Sequence, residues 1–390
     1  MKALVISPQP FFTPRGTPFS VYYRTLIAAE AGVTVDLLTY AEGEDVDIPG
    51  VRIIRIPRLP FADGVKVGPS GKKAVLDVVL TVWALGLLLR NRYDVVHAHE
   101  ESVFIGAFLK RLFGFKLVYD MHSCLPQQLT NFKFTTSRAL IRAFEWLENR
   151  ALAGSDAVIT ICPELAEYAV PRMREPHRHV LIENSIFDQV RFRRPAPAEA
   201  GAAELAALPP GRPIVVYAGT FEPYQGLDIL IPAFALARTR CPDAFLLLVG
   251  GTPDQLERYR NLARQHGLDG HCLLTGRTSQ ATARCLVSRA AVVTSPRSEG
   301  TNTPLKIYEQ LASGIPLVAT RILSHTQVLS DDVCLLVDPT PEDMADGIVH
   351  ALTDEGRRTR IVSRALELYE TNYSRRAYER KMQQLLALLR

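Results

Sequence analysis

Residues 295–320, SPRSEGTNTPLKIYEQLASGIPLVAT, hold the side chains best suited to binding chemistry. A short β-branched run precedes the segment, and the pattern then turns helical. Thr303 is a good N-cap, Pro304 suits a first helical position, and Gly314 with Pro316 two residues on marks the end. Such a start turns free backbone N–H groups and the positive end of a helix dipole toward Gly300, Thr301, Asn302 and Thr303. That is a natural seat for a phosphate. Lys306 and Glu309 are three apart and share one helix face. A cation beside phosphates and a carboxylate one turn further on suit a nucleoside diphosphate and its ribose hydroxyls. The pattern equally describes a capped surface helix whose Lys306 and Glu309 pair with each other.

What must position these residues is read from the rest of the chain. Its 390 residues predict two to three domains. Strand-like runs at 2–7, 33–39, 51–56, 94–97, 115–120, 157–161 and 179–183 alternate with helical stretches such as 20–31 and 137–153. Nearly all are short and apolar throughout, as parallel strands covered on both faces are. Residues 191–213 are rich in Pro and Ala and read as a linker with one short helix over 198–207. A second set of strands follows at 214–218, 245–249, 272–275, 291–294, 316–320 and 333–337. The fold class is α/β: two Rossmann-like doubly wound domains facing each other, with a ligand cleft at the carboxyl ends of both sheets. The expected bounds are 1–190, the linker 191–213, 214–372, and a C-terminal helix at 373–390 that packs back on the first domain.

Composition narrows the partners. Lys and Arg number 45 against 41 Asp and Glu, a net charge of +4. So mild an excess suits anionic small molecules or an anionic membrane surface. Without a basic face interleaved with aromatics it argues against nucleic acid. The 47% apolar and 22% charged content excludes a disordered or collagen-like chain. Six scattered cysteines, with no C-x-x-C and no zinc spacing, read as reduced thiols in a cytoplasmic protein. The apolar run 74–89, AVLDVVLTVWALGLLL, is short for a spanning helix and contains Asp77. It reads as a buried or interface helix or, with Lys66, Lys72 and Lys73 before it, as a monotopic contact with anionic lipid.

The segment EQLASGIPLVA, 309–319, resembles the signature of retaining glycosyltransferases of the GT-B fold, glycosyltransferase family 4. There a Glu, seven residues and a second Glu precede A-x-G-x-P-V-V-A. The resemblance implies that Glu309 holds the ribose of a nucleotide-diphosphate sugar. The first Glu of the pattern falls on Thr301, and the nearest carboxylate is Glu299 in RSEG. Either a two-residue insertion lets Glu299 reach the sugar, or that contact is lost. DVVHAH at 94–99 and KLVYDMH at 116–122 are similar to family strands, the second ending in the His that faces the sugar, here His122. Gly16, in FFTPRGT at 11–17, stands where the family has its glycine-rich loop. AGTFEPYQG at 218–226 aligns with the family's G-R-x-x-x-x-K-G, but Thr220 and Gln225 replace the Arg and Lys that neutralise the diphosphate.

The resemblance therefore implies a metal-independent, retaining hexosyltransferase that needs no cofactor besides its nucleotide-sugar donor. His122 and Glu299 position the sugar in this reading. Gly16, Arg15, Gly219, Thr220, Asn302, Thr303 and Lys306 surround the diphosphate, and Arg277 meets the nucleobase or is a solvated loop residue. Lys306, Arg15 and Arg297 are the candidate replacements for the missing cations, Lys306 foremost because its helix fixes its direction. Phe11, Phe12, Phe19 and the lysines around 66–73 are expected to form an oily, cationic surface above His99, Glu100 and Glu101. Such a surface fits a lipid-linked acceptor at the inner membrane face, as in assembly of cell-surface glycans. The loss of the Arg/Lys pair also fits a catalytically silent partner subunit.

Overall fold

The computed structural model describes residues 1–13, 16–59, 64, 70–126, 137–184, 186–187, 190 and 202–390. Arg15, Lys66 and the linker residues 191–201 lie outside the described residues. The chain divides into two compact units, Met1–Pro195 with Arg375–Arg390, and Ala196–Ser374.

The first unit is built on a sheet of seven strands: β1 (Lys2–Ser7), β2 (Thr34–Thr39), β3 (Val51–Arg55), β4 (Val95–His99), β5 (Lys116–Met121), β6 (Ala157–Thr160) and β7 (His179–Leu181). Their order is β3-β2-β1-β4-β5-β6-β7, every pairing is parallel, and the order reverses between β1 and β4. The central strands are buried along nearly their whole length, so helices must cover both faces. The first helix, Gly16–Glu30, starts four residues before its periodicity suggests. Pro18 stands in its first turn, where a missing N–H costs no helical bond.

The helix Gly71–Arg90 is capped by Ser70, whose side chain accepts from the Lys73 amide. Leu76, Leu80, Ala84 and Leu88, four residues apart, line its buried face. Val75, Val78, Val82, Trp83 and Leu89 stay exposed. No helix among the described residues is long and apolar enough to cross a membrane. The C-terminal helix Arg375–Leu388 belongs to this unit and buries Tyr378, Met382, Leu385 and Leu386. Arg375 Nη2 pairs with Glu30 at 2.5 Å, and Lys116 Nζ donates to the Leu389 carbonyl at 3.0 Å.

One expectation fails here. Phe11, Phe12 and Phe19 form no surface; they are 0, 1 and 5% exposed. They pack edge to face with one another and with Tyr22, because these rings bury more apolar area against each other than in water.

The second unit repeats the plan with six parallel strands: β8 (Ile214–Ala218), β9 (Phe245–Val249), β10 (Cys272–Gly276), β11 (Val292–Ser295), β12 (Leu317–Thr320) and β13 (Leu335–Val337). The order is β10-β9-β8-β11-β12-β13, with its reversal between β8 and β11. Of the helix expected at 198–207, Ala202–Ala206 is described. None of the six cysteines forms a disulfide.

Candidate functional site

In the second unit, the carboxyl ends of the central strands bring several loops close together. Gly226 has φ +76, and a Cβ there would lie 1.8 Å from the Pro296 carbonyl oxygen. Gly250, after β9, has φ +126, and a Cβ would lie 1.9 Å from the Gly219 oxygen. Only glycine fits either approach. The Ser298 amide donates to the Tyr224 carbonyl at 3.0 Å, which ties the loop after β8 to the loop after β11.

The helix at the switch point starts later than its sequence suggests. It spans Leu305–Ala312, Pro304 is its N-cap with ψ 136, and no side chain caps it. Thr303 therefore does not cap it. A residue before proline is driven out of helical geometry, and here Pro304 is itself extended.

Lys306 is the most telling residue of this unit. Its Nζ is buried with no hydrogen-bond partner among the described residues, 4.0 Å from the centre of the Tyr217 ring. The Cβ position of Gly219 is 3.6 Å away. Tyr217 is itself held, its hydroxyl donating to the Thr220 carbonyl at 2.6 Å. Burial, and then the nearby Arg297, bring the Lys306 ammonium down to about 7. Arg297 donates to the Asn302 carbonyl at 3.1 Å and lies over the Tyr224 ring. Burial lowers its guanidinium too. A buried lysine Nζ and a second basic group at a helix start suit an anion, whose charge would favour the protonated form of Lys306.

Lys306 and Glu309 do not pair. The Glu309 carboxylate accepts instead from Arg284, on the helix Gln280–Val287, with Nε at 3.2 Å and Nη2 at 2.8 Å from the same Oε1. The reading of a helix closed by its own Lys–Glu pair is thereby corrected. Glu299, Thr220 and Arg277 are exposed. Gln225 Nε2 donates weakly to Thr220 Oγ1 at 3.4 Å, and its Oε1 is buried without a partner. Behind the seat, His325 bridges Ser295 Oγ at 2.9 Å and the Thr320 carbonyl at 2.8 Å. Burial pushes this imidazole down to about 4, so it is neutral.

In the first unit, His122 follows β5 and belongs to a buried network centred on Asp120. Register pairs His99 with Asp120 across β4 and β5, and the two-residue period puts His97 on the face of His99. Asp120 Oδ2 lies 2.7 Å from Arg24 Nε and 2.8 Å from His97 Nε2, while Oδ1 lies 3.1 Å from His122 Nε2. His99 Nδ1 is 3.1 Å from His122 Nε2. Burial alone would raise the Asp120 carboxyl, but Arg24 and then His99 and His122 outweigh it and hold it well below its ordinary range. Burial lowers His99 and His122 despite Asp120, so both rings are neutral near pH 7.

Among the described residues, His97, His99 and Asp120 are the group of metal-ligand type, their ligand atoms within 4.8 Å of one another. Arg24 already holds the place beside the carboxylate that a cation would take, so proton donors fill this cluster. At its rim Glu100, at φ 52, accepts from Ser123 Oγ at 2.8 Å. Burial, then Glu101, pushes the Glu100 carboxyl up to about 8. Glu101 pairs with Lys73, and Tyr40 donates to Asp77. Gly16 opens the first helix of this unit.

The structure thus brings Gly219, Asn302, Lys306 and Arg297 together and sets Glu309 on the same helix as Lys306. Sequence reasoning missed Arg24, Asp120, Arg284, His325 and Tyr217. A charge inside an apolar run, as in VYYRTLI and KLVYDM, was a usable signal for the first two. Arg284 and His325 carry no local pattern.

Two family models match the chain: "Glycosyl transferase 4-like domain" over residues 24–185 and "Glycosyl transferases group 1" over 204–368. D-inositol 3-phosphate glycosyltransferase of Xylanimonas cellulosilytica is 26% identical over 360 residues, covering 86% of this chain and 83% of that one. Phosphatidyl-myo-inositol mannosyltransferase of Mycobacterium tuberculosis is 24% identical, covering 93% and 90%. The crystal structure of Anabaena HepE in complex with UDP superposes with a TM-score of 0.72 at 16% identity, covering 99% of this chain and 100% of that one. Each half is matched by a glycosyltransferase model and each carries a Rossmann-type sheet, so the chain belongs to the glycosyltransferases of the GT-B fold, of the family 4 type.

Proposed function

We propose that this glycosyltransferase takes its sugar from a nucleotide-diphosphate sugar and transfers it with retention of configuration, without a metal. The observation that carries the reading is Lys306, whose buried Nζ has no partner among the described residues, at the switch point of the second sheet. Leaving such a charge bare costs free energy, and an incoming diphosphate repays it. That the relative HepE is seen with UDP supports the same reading. Lys306 and Arg297 replace the family's Arg and Lys at the diphosphate, assisted by Gly219, Thr220, Asn302, Thr303 and the helix start. Gly16 and Arg15, the latter outside the described residues, are further diphosphate contacts in this reading. Glu309 takes the ribose hydroxyls and Arg277 the nucleobase, while His122 and Glu299 position the sugar.

In the chemical step the anomeric carbon–phosphate oxygen bond breaks as the acceptor oxygen bonds to the same face of that carbon. The acceptor's proton passes to the departing phosphate oxygen, so no side chain acts as base. Fixed cations and helix amides stabilise the charge on the leaving diphosphate.

The acceptor is membrane-proximal in this reading, and the enzyme works at the cytoplasmic face. Supporting it, Val78, Val82 and Leu89 of the helix Gly71–Arg90 and Phe108 and Leu112 of the neighbouring helix Ser102–Phe113 are exposed. Exposed Lys72, Arg90 and Arg111 accompany them. The name of the mycobacterial relative, a phosphatidyl-myo-inositol mannosyltransferase, is in keeping with this.

The test is a thermal-shift panel of UDP, GDP and ADP and their sugars. A ligand at 100 times its Kd adds about 2.7 kcal/mol of stability. Stabilisation by one base series supports the reading. No response to any nucleotide removes it, and binding without turnover returns the silent partner subunit. Vesicle co-sedimentation tests the acceptor side: binding to anionic vesicles that weakens with salt and with Lys72→Glu supports it, and no binding at low salt removes it.

A further inference from the structure

We infer that Arg284 is a positioning residue for the donor's ribose and makes the site selective for ribonucleotides. The inference rests on the reading of Glu309 given above and names a group outside the signature helix that shapes it. Arg284 sends two donors, Nε and Nη2, to one oxygen of Glu309, at 3.2 and 2.8 Å. A guanidinium normally meets a carboxylate as a fork, one donor to each oxygen. Here both converge on Oε1, and no described residue donates to Oε2. One oxygen is anchored and the other is presented.

The anchor is firm because both helices are. Thr282 and Leu286 are buried on one, Ile307, Tyr308 and Leu311 on the other, and Ser279 caps the first by accepting from the Thr282 amide at 3.0 Å. The side chains themselves are 36 and 34% exposed. Ion pairs so open add little to stability. The arrangement is better explained by what it does to Glu309. A glutamate with three free torsions would lose that freedom on meeting two vicinal hydroxyls. Held by Arg284, it has lost it beforehand, and Oε2 is preorganised for the 2′- and 3′-hydroxyls. The helix that carries Arg284 begins three residues after Arg277, so the residue proposed for the base directly precedes the element that anchors the ribose carboxylate.

The experiment is isothermal titration of the full chain with UDP, GDP and ADP, followed by the 2′,3′-dideoxy form of whichever binds tightest. The wild type is expected to prefer the ribonucleotide by about tenfold, the worth of a charged hydrogen bond. Arg284→Ala should weaken the ribonucleotide about fivefold and leave the dideoxy form unchanged, since only one member of the pair uses Oε2. Arg284→Lys, with one donor for two, should recover part of the preference. An unchanged preference in Arg284→Ala, or equal loss of both ligands, overturns the inference. A wild type that binds nucleotides without preference overturns the ribose role of Glu309 and the inference with it. A wild type that binds none overturns the nucleotide-sugar reading itself.

Discussion

The two units answer the problem of buried charge in opposite ways. In the first, Asp120 is fully buried but has the Arg24 guanidinium as its counter-charge and the rings of His97 and His122 as close polar neighbours. In the second, the Lys306 Nζ is buried over Tyr217 with Arg297 as its neighbour, two basic groups with no acid against Lys306 among the described residues. One network is complete in the folded chain; the other has a charge of one sign left over. A complete network fixes geometry, as a site that orients a substrate requires. An incomplete one favours an anion, which the proposed nucleotide-sugar donor would supply.

The largest expected effect comes from removing the central charge of each. Asp120→Asn leaves Arg24 buried without a counter-charge and should destabilise the protein by about 3–5 kcal/mol. Lys306→Met removes an uncompensated charge and keeps an apolar stem over Tyr217, so the ligand-free protein should become more stable. Chemical denaturation of both variants reads the two signs directly. Equal destabilisation would show that Lys306 has a partner after all and would end the contrast.

Next in size is the cost to binding. Lys306→Met should weaken the best nucleoside diphosphate by about 10- to 100-fold, as for a charge-assisted contact in a dry site. Titration of the folded variant measures it. If affinity survives while Arg297→Ala abolishes it, the wrong cation has been assigned.

The contrast was half legible in the sequence. The alternation of apolar runs with helical stretches is enough for two parallel sheets, since a strand covered on both faces has no polar positions to hide. Lys306 was also legible, because a helix start and a fixed spacing are local. What Lys306 faces was not: Tyr217 is distant in sequence, and only the parallel register of β8 beside β11 brings them together. The Arg284–Glu309 pair was hidden for the same reason, and it displaced the local Lys306–Glu309 pair that spacing suggested. The phenylalanines misled because aromatic residues after a first strand serve an oily surface or a core equally well. Tertiary packing put them in the core.

A smaller effect follows from the pH dependence of Lys306, brought down to about 7 in the ligand-free chain from its ordinary 10.5. Between those values the unfolded chain binds more protons than the folded one, so the term raises stability as pH increases from about 7. A diphosphate favours the charged ammonium and draws its value back up. Binding at pH 8 should therefore take up part of a proton, and affinity should fall as pH rises further. Calorimetry in HEPES and in Tris, whose ionisation heats differ, should give different apparent enthalpies. Identical enthalpies, or a difference that persists in Lys306→Met, would remove Lys306 as the titrating group.

The smallest expected effect tests whether the cation must stand on the helix or merely near it. Gln225→Lys restores one of the two basic residues that the resemblance leads one to expect in the loop after β8. The Gln225 side chain has little to lose: among the described residues its Oε1 is buried without a partner and its hydrogen bond to Thr220 is long. A lysine there would join Lys306 and Arg297 in a seat already positive, so the ligand-free protein should lose a little stability. Diphosphate affinity should rise by a factor of about 2 to 5, because a third charge adds less than the first. The informative measurement is the double variant. If Gln225→Lys rescues Lys306→Met to near wild-type affinity, the seat needs a cation but not a particular one. If it rescues nothing, the position of Lys306 over Tyr217 is what the diphosphate reads.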